Sequence, residues 1–303
     1  MKALREVLEA YLEVRRICGF KLRSAGSLLH QFVSFVEREG TSSITRELAL
    51  QWATQPKNCQ PCRWARRLGM VRSFARYVSA LDPRTEIPPE GLLPHRLHRK
   101  NPHLYTDEEI ARLIEAAGHL PSPLGLRAAT YATLFGLLAV TGMRMSEPLA
   151  LDRDDVDLTR GILTVRHTKF GKSRLVPVHA STLEKLRQYA ELRDRLCPRA
   201  QTPSFFIAER GTRLTESTVH WTFARLSRNI GLRGRLHGLR HGFAVETLIR
   251  WYRAGADVEQ HLPELSTYLG HVHVDDTYWY ITAVPELLRL ATLRLEEKGG
   301  KLS

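Results

Sequence analysis

Apolar side chains recur every three or four residues along the N-terminal part of the chain, which is the spacing of amphipathic helices. Such runs cover residues 4–18, 28–36 and 64–78. Gly40 stands where a helix commonly ends, and Thr45 is placed to cap a further short helix. We therefore predict a bundle of about four helices in this part of the chain.

The last of these runs also carries a row of cations. Arg63, Arg66 and Arg67 lie off its apolar stripe near the start, and Arg72 and Arg76 do so further on. Two interpretations stay open for these arginines. They form either a solvated charged face or a surface that contacts DNA.

Prolines break the periodicity after this bundle. Residues 83–103 contain five prolines, and Arg99 and Lys100 belong to a basic cluster near their end. We interpret 83–103 as a linker whose basic half could follow a phosphate backbone. It separates a domain over residues 1–82 from a second domain over residues 104–303.

Helical periods and short alternating runs are mixed in the second domain. Thr106–Glu109 is a predicted capping box, and an apolar helix over about 124–140 follows it. Residues 161–166 and 174–178 predict two short strands paired as a hairpin, and 204–207 predict a further strand. The predicted fold class is therefore mainly α with a small antiparallel β-sheet.

More helices are predicted over the rest of this domain. Ser181–Glu184 is a second predicted capping box, at the start of one of them. Others are expected over 215–229 and 236–251, and Pro285 begins a last amphipathic helix.

The charge of the chain narrows the class of partner. The 303 residues contain 45 Lys and Arg against 32 Asp and Glu, a net charge of +13. This excess indicates a polyanion, with nucleic acid as the first candidate and an anionic membrane surface as the second. The longest charge-free run, Ala128–Met143, is shorter than the ~20 residues of a bilayer span. The charged N-terminus and four scattered cysteines predict a protein that stays in a reducing cytoplasm.

Two of the cysteines have the spacing of a zinc-ligand pair. Cys59 and Cys62 lack a second pair nearby, and a structural zinc site takes four ligands. Packing or a turn is therefore the favoured interpretation, and no metal ion is predicted.

Five short segments concentrate residues that can act on a phosphodiester. They are Thr141–Glu147, Thr168–Pro177, His237–Arg240, Leu269–His271 and, nine residues after His271 and three after Thr277, Tyr280. In this order the segments resemble the motifs of the tyrosine recombinases of the phage integrase family. The resemblance implies a catalytic set of Arg144, Lys169, His237, Arg240, His271 and Tyr280, with Glu147 and Thr277 in support.

The resemblance also implies an architecture and partners. It implies an N-terminal helical core-binding domain and a C-terminal α+β catalytic domain that embrace a DNA duplex. The helix from Pro285 to Glu297 would dock on a neighbouring protomer. The expected partners are double-stranded DNA with paired core sites and either further copies of the chain, as a tetrameric synapse, or a related recombinase. The expected DNA contacts are Arg63, Arg66, Arg67, Arg99, Lys100, Lys172 and Arg174.

Transfer of a phosphodiester to Tyr280 is also supported by the residue types themselves. Arg144 and Arg240 can fork onto phosphate oxygens, and His237 and His271 can donate hydrogen bonds or move the proton of the nucleophile. A phenol has a pKa of about 10, a deficit of about 4 kcal/mol at neutral pH, and nearby arginines together with a general-base imidazole could offset much of it.

The leaving 5′ oxygen needs a proton donor. Lys169, at the tip of the predicted hairpin, is the expected donor, while Lys172 and Arg174 suit contacts to the DNA backbone. Because the arginines, the lysine and the histidines supply the positive charge, the predicted chemistry uses no metal ion and no cofactor.

We predict a site-specific recombinase, integrase or transposase that cleaves and rejoins DNA through a 3′-phosphotyrosine. The sequence near the nucleophile looks like that of mobile-element recombinases, which predicts a bacterial or archaeal protein acting at the nucleoid. A type IB topoisomerase and a catalytically silent accessory protein are the alternatives.

Alternative roles stay open for individual residues as well. Arg144 could be a structural arginine paired with Glu147, or could serve both roles. Tyr278 is a rival nucleophile on another face of the same helix. His241 and His273 have no counterpart in the family's motifs and are interpreted as ordinary polar residues.

Overall fold

The computed structural model describes residues 3–95, 103–166, 173–271 and 273–299. Contacts between residues divide the chain into two units, Met1–Lys100 and Asn101–Ser303. Buried apolar side chains form separate clusters in the two units, so each unit has a core of its own.

In the described part of the first unit, four helices form a bundle: α1 (Leu4–Ile17), α2 (Arg23–Arg38), α3 (Arg46–Thr54) and α4 (Pro61–Ser79). The Thr45 hydroxyl accepts a hydrogen bond from Leu48 N at 3.2 Å, so the predicted cap of α3 is confirmed. Each helix contributes a large side chain to the core: Leu8, Phe32, Trp52 and Phe74. The predicted helical bundle is confirmed.

Residues 83–95, predicted as part of the linker, pack on the first unit instead. The Arg72 guanidinium donates to the carbonyls of Pro88 and Pro89 at 2.7 and 2.8 Å, and Leu93 lies against the core of the bundle. Prolines remove helical periodicity without preventing an extended segment from packing, so the sequence pattern could not show these contacts. Residues 96–102 of the predicted linker lie outside the described residues.

The helices described in the second unit are α5 (Asp107–Gly118), α6 (Leu126–Thr141), α7 (Ser146–Ala150), α8 (Ala180–Leu196), α9 (Glu216–Asn229), α10 (His237–Arg253), α11 (Val258–Leu269), α12 (Asp275–Ala283) and α13 (Pro285–Gly299). None of the helices in the described ranges is both long enough and apolar enough to cross a bilayer.

One predicted capping box is confirmed and the other is wrong. Thr106 Oγ1 accepts from Glu109 N at 3.2 Å and Glu109 Oε2 accepts from Thr106 N at 3.1 Å, which caps α5. At α8 the cap is His179, whose ring accepts from Ser181 N. The helix therefore begins before the predicted position, and Ser181 lies inside its first turn.

A small antiparallel sheet in the described residues has the strand order β1 (Val156–Asp157), β2 (Ile162–Val165) and β3 (Arg174–Pro177). β2 and β3 pair as the predicted hairpin, with Val165 opposite Arg174. The predicted fold class is confirmed, although β1 is too short for alternating burial to reveal it. The hairpin connection, residues 167–172, lies outside the described residues.

The strand predicted over residues 204–207 is wrong. Its ends make isolated bridges to Asp152 and Arg213 instead of a ladder. The adjacent side chains of Phe205 and Phe206 are both buried. In a half-exposed strand successive side chains point to opposite faces, so two neighbouring side chains would not both be buried. This apolar run is therefore a loop packed into the core.

Helix packing in the second unit brings separated segments together. α6 packs against α5, α8 and α10, and α10 packs against α11, α12 and α13. α11 was not predicted, because Pro263 lies inside it and an interior proline usually breaks a helix.

Candidate active site

Two helices of the second unit end at glycines that the local geometry requires. Gly142 (φ 59°) follows α6, and Gly270 (φ 69°) follows α11. A Cβ added at Gly142 would lie 2.5 Å from the Phe243 ring, and one at Gly270 would lie 3.1 Å from Arg174 Nη1. Both positions need a residue that tolerates left-handed backbone. Gly142 has no room for a Cβ, and a Cβ at Gly270 would require Arg174 to shift.

The carbonyls at these helix ends hold two of the predicted catalytic arginines. Arg240 donates to Gly142 O and Leu269 O, each at 2.8 Å. Arg144 donates to Gly270 O at 2.6 Å. The last carbonyls of a helix lack intrahelical partners and lie at the negative end of its dipole, so they suit cations. These hydrogen bonds hold the segment around Arg144 next to the Leu-Gly-His segment.

A buried carboxylate holds a third arginine beside them. Glu147, with 5% of its side chain exposed, accepts from Arg174 at 3.0 and 2.7 Å and from Arg144 Nη1 at 3.2 Å. Burial acts to raise the pKa of Glu147, but the hydrogen bonds and charges of Arg174 and Arg144 lower it below its ordinary value. Glu147 is therefore ionised, and the predicted Arg144–Glu147 pair is present.

Arg240 is the most enclosed of these three cations, with 3% of the residue exposed. Burial and then the charge of Arg144 lower the pKa of Arg240 to about 10, so it stays charged at neutral pH. Adjacent like charges repel until an anion lies between them, and guanidinium groups can fork onto phosphate oxygens. The arrangement can therefore bind a phosphodiester.

Tyr280 lies on α12 with 2% of the residue exposed, whereas Tyr278 is 44% exposed. Burial raises the pKa of the Tyr280 phenol, and this effect outweighs the opposing charge of Arg240. The charge of Arg240 therefore does not bring the pKa of this phenol below its ordinary value. The phenol carries its proton at neutral pH.

One predicted histidine, His271, lies beside this phenol. His271 Nδ1 is 2.7 Å from the hydroxyl of the buried Thr277, and its ring stacks on that of Tyr280 with centroids 6.3 Å apart. Burial and then the charges of nearby arginines lower the pKa of His271 to about 4. Burial likewise lowers the pKa of His237.

His241, to which the sequence motifs gave no role, contacts the candidate nucleophile directly. Its Nδ1 lies 3.2 Å from the Tyr280 hydroxyl, and its ring centroid is 4.5 Å from that of His237. The four-residue spacing of the two histidines puts them on one face of α10, which was the available sequence signal. Only the packing of α10 against α12 reveals the contact. His273, in contrast, is exposed.

The predicted DNA contacts fall into different environments. Arg63 and Arg66 are exposed on α4. Arg67 is buried, donates to Trp52 O at 2.9 Å and lies 3.6 Å from the Trp52 ring centroid, so its prediction as a DNA contact is corrected. Arg174 is held on Glu147 with 11% of its side chain exposed, not on an open surface. The predicted residues outside the described ranges are Arg99, Lys100, Lys169 and Lys172.

The cysteine pair of the first unit makes local contacts. Cys59 hydrogen-bonds to Pro56 O and Cys62 to the Gln60 side chain. Across the residues with described positions, no group of three or more His, Cys, Asp or Glu side chains is placed to hold a metal ion.

Residues 104–286 match the model of the phage integrase family. A protein of Sinorhizobium fredii named as the integrase/recombinase y4rB is 51% identical over 98% of this chain and 98% of its own. The tyrosine recombinase XerC of Herpetosiphon aurantiacus is 31% identical over 89% of this chain and 87% of its own. The chain belongs to the phage integrase family of tyrosine recombinases, which are DNA breaking and rejoining enzymes.

Solved structures share the fold at low sequence identity. The XerH recombinase in a post-cleavage complex with palindromic difH has a TM-score of 0.66 at 19% identity, covering 90% of this chain and 78% of that one. The Tn1549 transposon integrase with transposon right end DNA has a TM-score of 0.64 at 15% identity, covering 96% and 99%. The predicted recombinase fold is confirmed.

Proposed function

We propose that this chain is a site-specific recombinase that transfers a DNA strand first to Tyr280 and then to another 5′ hydroxyl. The observation that carries the proposal is the convergence of Arg144, Arg240, His271 and Tyr280 from separated segments of the second unit. Arg174 adds a third guanidinium group to those of Arg144 and Arg240, and Glu147 pairs with two of the three, Arg144 and Arg174.

Each group has a role in the transfer. Arg144 and Arg240 bind the non-bridging oxygens of the phosphodiester and stabilise the charge that develops on them. His237 and His271 donate further hydrogen bonds to the phosphate. Tyr280 attacks phosphorus in line with the leaving oxygen, which gives a 3′-phosphotyrosine and a free 5′ hydroxyl. The phosphotyrosine conserves bond energy, so a 5′ hydroxyl of another strand can reverse the step.

Departure of the 5′ oxygen needs more help than ionisation of the phenol. An alkoxide is about as basic as hydroxide, whose parent water has a pKa of ~15.7. We assign its protonation to Lys169 on the strength of the family motif. The proposal includes no step through a metal ion or a cofactor.

The proposed substrate is double-stranded DNA with paired core sites, bound by a tetramer of this chain or by this chain with a related recombinase. A lambda integrase of similar fold was solved as a tetramer on a Holliday junction and as a dimer on a core site. In this chain the exposed Arg63 and Arg66 and the net charge of +13 support binding of DNA by the first unit. The exposed Leu288 and Leu293 support docking of α13 on a second protomer.

We further propose that the chain is encoded by a mobile element and acts on DNA at the nucleoid, in the cytoplasm. The 51% identity to a protein named as an integrase/recombinase supports the first part of this assignment.

Covalent trapping on nicked DNA tests the strand-transfer proposal. Duplexes tiled across the DNA that flanks the gene would carry a nick, so that a short fragment is released after cleavage and the adduct accumulates. In EDTA, the wild-type protein should form an adduct whose peptide mass places the phosphate on Tyr280. Tight binding without any adduct would instead identify a silent DNA-binding protein.

A requirement for two sites separates a recombinase from a type IB topoisomerase. Wild-type protein should exchange strands between two duplexes that both carry the site. Relaxation of a supercoiled plasmid with no exchange between sites would favour the topoisomerase.

A further inference from the structure

The phenolic proton of Tyr280 needs an acceptor at the moment of attack. Burial raises the pKa of this phenol, so at neutral pH it meets the phosphodiester in its protonated form. A base that removes the proton in the transition state has to be within hydrogen-bond distance of the hydroxyl. The groups around the hydroxyl therefore decide which residue is the base.

Geometry favours His241 over the other groups near the phenol. His241 Nδ1 lies 3.2 Å from Tyr280 Oη. Arg240 also acts on the phenol, but a guanidinium has only donors. The ring of His237 packs against the ring of His241 with centroids 4.5 Å apart, and His241 is the imidazole whose nitrogen is hydrogen-bonded to the phenol. His271 uses Nδ1 for Thr277, and its ring lies nearly parallel to the phenol ring, with 21° between the planes and 6.3 Å between the centroids.

We propose that His241 is the base that accepts the proton of Tyr280 during strand cleavage. The inference rests on the proposed function, because it assigns one step of that reaction. In the tautomer with its proton on Nε2, His241 accepts from the phenol through Nδ1. As the Oη–P bond forms, the O–H bond breaks and the proton moves to Nδ1. The P–O5′ bond breaks, and the 5′ oxygen takes a proton from the general acid.

Strand rejoining runs through the same groups in reverse. The 5′ hydroxyl attacks phosphorus and gives up its proton, the Oη–P bond breaks, and the His241 imidazolium returns a proton to the phenol oxygen. His241 ends each cycle neutral, so no further reactant is consumed. The base of cleavage is the acid of rejoining, as microscopic reversibility requires.

Several titratable or charged groups surround the pair and act on its pH dependence. They are His237 and Arg240 on α10, Asp276 on α12, His271 after α11, and Arg144 before α7. Because all of them remain in a His241 variant, the difference between the variant and wild-type pH profiles isolates His241.

Single-turnover adduct formation on nicked duplex DNA measures the step directly. The proteins to compare are wild type, His241→Gln, His241→Ala and, as a matched control, His273→Gln, which changes an exposed histidine. General-base catalysis typically contributes at least about 10²-fold, so both His241 variants should form adduct roughly 10²-fold more slowly. The control should stay within about twofold of wild type, and DNA binding should be unchanged in all four proteins.

Two further readouts separate a base from a structural role. A substrate with sulfur in place of the 5′ oxygen has a leaving group that needs no acid, since a thiol has a pKa of about 8.5. It should leave the His241→Gln defect in place, because the missing base acts on the nucleophile. Added imidazole should partly restore the rate of His241→Ala, and both variants should lose the wild-type fall in rate at low pH.

These measurements distinguish failure of the inference from failure of the proposed function. Adduct formation by wild type together with unchanged or faster rates in His241→Gln would overturn the inference and leave the proposed function standing. Full recovery on the sulfur substrate would also overturn it. Absence of any adduct with the wild-type protein would defeat the proposed function itself. If His241→Ala does not fold, His241→Gln, which keeps a side chain of similar size, carries the test alone.

Discussion

Removing the charge of Glu147 tests how the arginines of the site are held. In Glu147→Gln the side chain keeps its shape, but the carboxylate between two guanidinium groups becomes an amide. Glu147 is 5% exposed and Arg174 is 11% exposed, so the cation left behind is poorly hydrated. Breaking a buried pair by removal of one partner costs about 3–5 kcal/mol, because it leaves a buried charge uncompensated.

An exposed ion pair in the same unit provides the matched control. Arg253 and Glu286 are separated by 2.8 Å, against 2.7 Å for Arg174 and Glu147, but their side chains are 64% and 40% exposed. Exposed pairs contribute about 0–1 kcal/mol, so Glu286→Gln should have little effect. Both are arginine–glutamate pairs of similar length, and they differ in burial and in the second arginine, Arg144, that Glu147 also holds.

Scanning calorimetry of the protein gives the Tm of the second unit for wild type and for both variants. A unit of about 200 residues unfolds with an entropy of roughly 0.4 kcal/mol/K, so Glu147→Gln should lower Tm by roughly 7–12 °C. Glu286→Gln should lower it by about 2 °C or less. Equal shifts in the two variants would refute the reasoning, since burial would then add nothing to the Arg174–Glu147 pair.

The same pair has a defined pH dependence. Because the folded-state pKa of Glu147 lies below its unfolded value near 4.5, the stabilisation is complete above that value and is lost as the pH falls through the folded-state pKa. The Tm difference between wild type and Glu147→Gln should therefore be constant near neutral pH and shrink in acid.

Three further predictions address other parts of the site. Gly270→Ala should destabilise the fold by about 1–3 kcal/mol and abolish adduct formation. Gly255 has the same φ of 69° but no atom within 4 Å of an added Cβ, so Gly255→Ala should keep the activity. Lys169→Ala should bind DNA normally and cleave it about 10²–10⁴-fold more slowly, with recovery on the 5′-sulfur substrate; normal cleavage of ordinary DNA would remove Lys169 from the mechanism. The pKa of His271 falls from 6.5 to about 4 on folding, so the unfolded state binds more protons in this window and stability should drop as the pH is lowered through it. His271→Gln should reduce that slope in urea titrations at a series of pH values, and an unchanged slope would contradict the depressed pKa.

Much of the fold could be predicted because its helices bury one regular face. Periods of three and four residues located three helices of the first unit, the cap at Thr45 located the fourth, and alternation located the hairpin of β2 and β3. The family motifs located Arg144, Arg240 and His271, which the structure brings together. Gly142 and Gly270 could be recognised as parts of these motifs. Only the structure shows that they end helices whose last carbonyls accept hydrogen bonds from the arginines.

What the sequence could not show depends on contacts between distant segments. Arg67 and Arg66 are neighbours of the same type, and only the position of Trp52 makes one a core residue and leaves the other exposed. Arg174 meets Glu147 from a strand 27 residues away. The contact between His241 and Tyr280 spans 39 residues and two helices, so no local pattern encodes it.

The nucleophile is the central claim, and one comparison tests it most directly. Adduct formation on nicked duplex DNA would be measured for Tyr280→Phe and Tyr278→Phe, each of which removes a single hydroxyl, with DNA binding measured in parallel. The account predicts normal binding by both variants, a wild-type level of adduct with Tyr278→Phe and none with Tyr280→Phe. Loss of the adduct in Tyr278→Phe together with its retention in Tyr280→Phe would contradict the account.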